Sequence, residues 1–173
     1  MKNTPTCIIV FGNICSGKTT VCNTLLEQLT DFTYISPDAI RLQHNLDGAT
    51  ISESKLSEII ISQISNNKKI ILECTGSGSF YKHYLRIIAT KQMLTYKVFL
   101  SCNSMICYQR YQNRANANAS LIALDNHYNI KFSIQNIEAK ISGLNFDLKI
   151  KTENTKPDAA ASLILAAIGT VKS

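Results

Sequence analysis

Eight residues near the amino terminus carry the densest chemistry in the chain. Gly12-Asn13-Ile14-Cys15-Ser16-Gly17-Lys18-Thr19 matches G-x-x-x-x-G-K-[ST] at every fixed position. These residue types suit one task, holding a row of phosphates. Gly12 and Gly17 let the backbone curl so that its N–H groups converge on anionic oxygens. Lys18 is placed to reach the β- and γ-phosphates of a nucleoside triphosphate, and the Thr19 hydroxyl suits a Mg²⁺ ligand. A helix opening near residues 17–18 aims its positive end at the same phosphates. The expected nucleotide-binding set is Gly12, Asn13, Ile14, Cys15, Ser16, Gly17, Lys18, Thr19 and Thr20. An ordinary glycine turn is the competing reading. It is disfavoured because the motif follows an apolar run and precedes an amphipathic stretch, which is the setting the motif requires.

Three further features bear on what such a loop would serve. Asp38 and Arg41 lie in Asp38-Ala39-Ile40-Arg41. A carboxylate there suits a base for an attacking hydroxyl, and an arginine one helical turn on suits a clamp for an anionic group. A helix cap with an i,i+3 ion pair explains the same residues equally well. Glu73 ends an apolar run, where an acid serves Mg²⁺ or substrate; a buried acid with no role is costly to desolvate. Arg110 and Arg114 are spaced i,i+4 on one predicted helix. They suit stabilisation of a phosphoryl group in transit, against the plainer reading of a solvated face. The expected chemical set is therefore Lys18, Asp38, Arg110 and Arg114, with Asp38, Arg41 and Glu73 toward the acceptor and Thr19 and Glu73 toward the metal.

The elements that must position these groups alternate between strand and helix. Cys7-Ile8-Ile9-Val10-Phe11 is a continuous apolar run, as expected of a strand buried on both faces. The next helix, to about residue 30, carries Val21, Leu25 and Leu29 every four residues. Residues 32–36 read as a second strand, and Ser36-Pro37-Asp38 opens a loop or short helix. Thr50-Ile51-Ser52-Glu53 is a capping-box signature ahead of Leu56, Ile59, Ile60 and Ile64. Residues 69–73 read as a third strand, residues 75–79 as a loop, and Phe80, Tyr84, Ile87 and Ile88 mark a helix. A fourth strand is expected at 96–101 and a helix at 104–115, with an Asn- and Ala-rich mobile segment at 116–128. Ile134, Ile137 and Ile141 mark another helix, which Gly143 is expected to stop as helix-ending glycines commonly do. Phe146, Leu148 and Ile150 alternate as a fifth strand, and Thr155 with Pro157 starts the last helix. The pattern predicts an α/β fold, a five-stranded parallel sheet flanked by helices. One domain over residues 1–173 is expected, with a short helical lid at about 104–128.

Composition narrows the class. The chain has 173 residues, 45% hydrophobic and 17% charged, which suits a globular domain large enough to bury a core. No stretch is apolar enough to span a bilayer, and the first twelve residues lack a signal-peptide pattern. A cytoplasmic protein is expected. Cys7, Cys15, Cys22, Cys74, Cys102 and Cys107 show no C-x-x-C spacing, so reduced and mostly buried thiols are expected. Cys15 sits where loop amides and a helix start can lower a thiol pKa, and it is given no catalytic role. The net charge is +6, and residues 74–124 hold six lysines and arginines with no acid. That bias suits anionic partners, nucleotide alone or nucleic acid as well.

With these residues in view, the order GNICSGKT, ISPDAIR, IILECTG and CYQRYQNR resembles the P-loop kinases related to polynucleotide 5′-hydroxyl kinases and zeta toxins. The tail FDLKIKTENTKPDAAASLILAAI resembles the last strand, base-side loop and final helix of many small-molecule kinases. The resemblance implies a nucleoside-monophosphate-kinase-like P-loop fold. It implies Lys18 and Thr19 on phosphates and Mg²⁺, Asp38 as general base, and Arg41 on a phosphate of the acceptor. It further implies Arg114 and Arg110 as lid arginines, with residues 152–154 near the purine. Ile14 stands where a small residue or proline is often found. Glu73 stands where polynucleotide kinases usually have Asp, and Glu73-Cys74-Thr75 is closer to zeta-toxin-like relatives.

The implied activity is transfer of a γ-phosphoryl group from ATP, or another nucleoside triphosphate, to an alcohol. The preferred acceptor is a polynucleotide or nucleotide hydroxyl. The alternatives are a nucleotide-sugar, sugar or antibiotic acceptor, and a nucleotide-binding regulator without transfer activity. No N-K-x-D base-recognition signature and no second motor or helicase domain are found in the sequence.

Overall fold

The computed structural model describes residues 4–46, 50–77, 81–117 and 129–170. In chain order its elements are β1 (Thr6–Gly12), α1 (Lys18–Gln28), β2 (Thr33–Ile35), α2 (Pro37–Gln43), α3 (Thr50–Asn66) and β3 (Lys69–Cys74). They continue with α4 (Tyr81–Thr90), β4 (Leu94–Ser101), α5 (Ser104–Ala117), α6 (Ile130–Ser142), β5 (Leu148–Lys151) and α7 (Pro157–Thr170). The five strands form one sheet in the order β2-β3-β1-β4-β5, with every pairing parallel. The expected α/β architecture is present.

Side-chain parity along β1 sets the two faces. Successive residues of a strand point to opposite sides. Ile8 and Val10 therefore pack with Val21, Cys22 and Leu25 of α1 and with Ala160, Ala161 and Ile164 of α7. Cys7, Ile9 and Phe11 pack on the other face with Leu56, Ile60 and Ile64 of α3 and Tyr84 and Ile88 of α4. All seven residues of β1 are buried, as its unbroken apolar run predicts. A third cluster joins Cys107 and Tyr111 of α5 to Ile130 and Ile134 of α6, and Ile14 and Cys15 of the glycine loop pack against it.

Several local expectations change. Ser36, rather than Asp38, caps α2: it accepts the Ala39 amide at 3.4 Å, with Pro37 at the first helical position. Gly143 ends α6 with φ −84°, in the right-handed region, so the left-handed glycine cap is not formed. Phe146 lies before β5, its ring 5.4 Å from Phe11 and 4.9 Å from Phe99, so it seals the sheet face beneath it. The lid segment over 118–128 and Phe80 fall outside the described residues. Among the described residues no helix is long and apolar enough to cross a membrane.

Candidate active site

In an open parallel sheet the crevice forms beyond the C-terminal ends of the strands where the chain changes direction. Here that point is β1, which lies between β3 on one side and β4 on the other. Gly12 ends β1 and the phosphate-loop motif follows at once. A Cβ on Gly12 would stand 2.4 Å from Ser16 Oγ and 2.8 Å from the Leu100 carbonyl oxygen, so only glycine fits. Gly17 caps α1 with φ +95°, a conformation L side chains rarely adopt. Among the described residues α1 has no side-chain cap and no acid in its first turn. Its leading N–H groups are left to an anion.

The loop is held from three sides. Asn13 Nδ2 donates to the Ile134 carbonyl of α6 at 2.8 Å, while its Oδ1 accepts the Ile14 amide at 2.8 Å. Thr152 Oγ1 stands 2.7 Å from the Ser16 carbonyl and 3.2 Å from that of Ser101, tying the loop after β5 to the glycine loop and to the end of β4. Arg110 donates to the Cys15 carbonyl at 3.4 Å and to the Thr152 carbonyl at 3.3 Å. Ile14, larger than the residue often found there, is an apolar peg into the α5–α6 cluster.

Glu73 organises the floor. In the register with β1 it pairs with Val10, so it shares the face that α1 covers. The residue is 5% exposed, and its carboxylate accepts from two hydroxyls and pairs with one ammonium. Thr19 Oγ1 lies 3.1 Å from each of its oxygens, Lys18 Nζ lies 3.8 Å away, and the Tyr34 hydroxyl of β2 donates a very short bond to Oε2. Lys18, 7% exposed, also donates to the Asn13 carbonyl at 2.8 Å. Burial, then the bond and charge of Glu73, push the Tyr34 phenol well up, so it stays a protonated donor. Sequence reading missed Tyr34: a tyrosine in a short strand is ordinary, and only the β2–β3 pairing brings it to the acid.

The residues fit the phosphates of a nucleotide with Mg²⁺. Ser16 Oγ is buried and, among the described residues, has no hydrogen-bond partner. It lies within the loop whose amides and lysine would meet phosphate oxygens, so a phosphate there would satisfy it. Thr19, with Glu73 accepting its proton, could hold Mg²⁺. No cluster of three or more His, Cys, Asp or Glu side chains forms a metal cage among the described residues. A Mg²⁺ ion at Thr19 would be held chiefly by one hydroxyl, phosphates and water.

Beside the loop lies a cleft of about 200 Å³ lined by Cys15, Gly17, Thr20, Arg110, Arg114 and Thr152, among others. Both arginines of α5 and the loop after β5 thus meet on one side of the phosphate loop. A second hollow of about 230 Å³, lined by Asp31, Thr33, Asn67, Lys68 and Lys69, sits at the opposite, N-terminal ends of β2 and β3. Cys15 departs from expectation: burial raises its thiol pKa, outweighing the lowering by Arg114, Lys18 and Arg110. The neighbouring cations are present, and desolvation exceeds them.

Asp38 and Arg41 sit on α2, beyond the C-terminal end of β2. Their i,i+3 ion pair forms, Arg41 Nη1 donating to Asp38 Oδ1 at 3.0 Å. Arg41 also donates to Glu53 Oε1 of α3, from Nη2 at 2.7 Å and Nε at 3.2 Å. Glu53, read from sequence as the acid of a capping box, thus binds Arg41; the Thr50 side chain lies outside the described residues.

No protein-family model matches the sequence, and no curated protein matches it. Solved structures do match in fold. The APS kinase CysC of Mycobacterium tuberculosis, in complex with AMPPNP and APS, shares 16% identity at a TM-score of 0.68, over 96% of this chain and 98% of that one. Shikimate kinase from Acinetobacter baumannii, in complex with shikimate, shares 16% identity at 0.71, over 98% and 96%. A chain of the Pnkp1/Rnl/Hen1 RNA repair complex shares 12% identity at 0.65, over 84% of this chain and 48% of that one. At these identities the likeness is one of fold, and together with the strand order and the glycine loop it assigns this chain the α/β fold of the P-loop nucleotide-binding proteins.

Proposed function

We propose that the protein is a phosphotransferase that moves the γ-phosphoryl group of ATP, or another nucleoside triphosphate, to a hydroxyl of an acceptor. The observation that carries this reading is the buried Lys18–Glu73 pair with the Thr19 hydroxyl bonded to the same carboxylate, in a loop whose buried Ser16 Oγ has no partner among the described residues. The loop amides and Lys18 hold the phosphates. Bound Mg²⁺ offsets their charge. Asp38 takes the proton of the acceptor hydroxyl as its oxygen bonds to the γ-phosphorus; the bond to the β-phosphate oxygen breaks and the diphosphate leaves. Arg110 and Arg114 stabilise the group in transit.

For the acceptor, two classes stand. A polynucleotide or nucleotide hydroxyl is supported by the acid-free basic stretch of residues 74–124 and by the fold likeness to a chain of the RNA repair complex. A small hydroxyl compound is supported by the near full-length likeness to kinases of APS and shikimate. Arg41 weighs against the first class: the clamp meant for an acceptor phosphate is already held by Asp38 and Glu53. We take the small acceptor as the better reading.

A transfer assay with γ-labelled ATP and Mg²⁺ tests it, on panels of sugars, nucleosides, nucleotide-sugars and 5′-hydroxyl oligonucleotides. Label on a small acceptor, lost in Asp38→Ala while nucleotide affinity persists, is expected. Label on the oligonucleotide alone would restore the polynucleotide reading. Nucleotide binding with no transfer to any acceptor, unchanged by Asp38→Ala, would make the protein a regulator.

A further inference from the structure

The Arg41 guanidinium joins α2 to α3 at the acceptor end of the site. Three of its N–H vectors are taken by carboxylates, one by Asp38 and two by a single oxygen of Glu53. Arg41 and Glu53 are each about a third exposed, at 34% and 33%, and Asp38 is open to solvent at 85%. Tyr84 of α4 and Ser57 of α3 are both buried. The Tyr84 phenol is hydrogen-bonded to Ser57, and α3 packs against both α2 and α4.

The charge balance decides what these groups accept. Two carboxylates face one guanidinium, and the three groups together are net negative. A phosphate, sulfate or carboxylate on the acceptor would have to displace Glu53 from Arg41 and would then stand beside two acids. A neutral hydroxyl compound meets neither cost and can hydrogen-bond to Asp38 as it stands.

We propose that Glu53 sets acceptor specificity: by occupying Arg41 it restricts the site to a hydroxyl compound with no anionic group beside the reacting hydroxyl. Glu53 acts through Arg41 and is a positioning residue. The inference rests on the phosphotransfer reading for the word acceptor, but its physical content is the anion affinity of Arg41.

That affinity is measurable without turnover. Inorganic sulfate is titrated by calorimetry into protein saturated with AMPPNP and Mg²⁺, which fill the phosphate loop. The wild type is compared with Glu53→Gln, Glu53→Asp and the double variant Glu53→Gln/Arg41→Met, after thermal melting shows each is folded. Glu53→Gln is expected to bind sulfate about tenfold or more tighter than wild type, the scale of one lost charge contact. The double variant loses that gain, and Glu53→Asp, which keeps the charge, stays near wild type. A purely structural role for Glu53 would not make Asp differ from Gln in this way. Equal sulfate affinity in wild type and Glu53→Gln, abolished in both by Arg41→Met, overturns the proposal. In the transfer assay, a nucleoside and its 3′-phosphate form the matched pair. Wild type is expected to prefer the nucleoside, and Glu53→Gln to move the kcat/KM ratio toward the 3′-phosphate. A wild-type preference for the 3′-phosphate that depends on Arg41 overturns the proposal as well. Absence of transfer to either acceptor would count against phosphotransfer alone, and the sulfate comparison would still decide the role of Glu53.

Discussion

The Thr19 hydroxyl stands 3.1 Å from both oxygens of the Glu73 carboxylate, although 54 residues separate the two in sequence. A hydroxyl that gives its proton to an acid keeps its lone pairs free for a cation. Thr19→Val and Glu73→Gln are each expected to weaken Mg²⁺-dependent nucleotide binding by about 10–100-fold, the usual effect of losing such a contact. Titration with a fluorescent nucleotide, with Mg²⁺ and with excess chelator, checks this. Equal losses in both conditions would place Glu73 in loop structure rather than in metal support.

Tyr34 holds the same carboxylate from β2. Tyr34→Phe removes one half-buried donor to a buried acid and should cost about 1 kcal/mol in urea unfolding. It should also reduce the advantage that Mg²⁺ gives to nucleotide affinity, since Glu73 loses a fixed orientation. Wild-type stability together with wild-type Mg²⁺ dependence would count against any role for Tyr34.

Alkaline pH should unfold the protein early. Burial raises the Cys74 thiol from 9.0 to about 11, and it raises the Cys7, Cys22 and Cys107 thiols as well. The folded pKa exceeds the unfolded one, so the neutral thiol's contribution is complete below about pH 9 and is lost as pH rises through the folded value. Urea midpoints should therefore fall between pH 9 and pH 11, and Cys74→Ala should flatten that slope. A midpoint independent of pH over this window would contradict the burial of these thiols.

The two loop glycines should fail differently. Gly12→Ala forces a Cβ to within 2.4 Å of Ser16 Oγ and 2.8 Å of a β4 carbonyl, so both nucleotide binding and stability should suffer. Overpacking of this kind typically costs about 1–3 kcal/mol. Gly17→Ala meets no atom within 4 Å and bears only the strain of φ +95°, about 1–2 kcal/mol. Nucleotide affinity should drop further in Gly12→Ala than in Gly17→Ala; the reverse order would show that helix-start geometry matters more than the cradle.

Lys91 gives a control remote from the chemistry. Its ammonium donates to the carbonyls of Ile64 (2.7 Å), Ser65 (2.6 Å) and Asn67 (2.9 Å) at the C-terminal end of α3. Positive charge there complements the helix dipole. Lys91→Met should cost about 2 kcal/mol of stability, as for hydrogen bonds to a charged group, with nucleotide affinity unchanged. Thermal melting and the nucleotide titration together check both halves.

Local patterns alone determined much of this protein. The apolar run of β1, the glycine–lysine–threonine spacing and the four-residue periodicity of α1 are set by neighbours in the chain, and the structure repeats them. The alternation of strand and helix led to a parallel sheet covered on both faces for the same reason. The strand order β2-β3-β1-β4-β5 was not legible, because periodicity says which faces are apolar and nothing about which strand lies beside which. Tertiary structure likewise decided the partners of each acid. Glu73 meets Thr19 and Tyr34 only through strand pairing and parity. Glu53 reaches Arg41 rather than serving solely its own helix, because packing of α2 on α3 offers a guanidinium at 2.7 Å. Cys15 sits by the expected cations, yet its burial, which local sequence does not report, reverses the expected shift. Sequence thus fixes the groups available and their local geometry, whereas desolvation and charge pairing depend on neighbours far along the chain, which only the fold supplies.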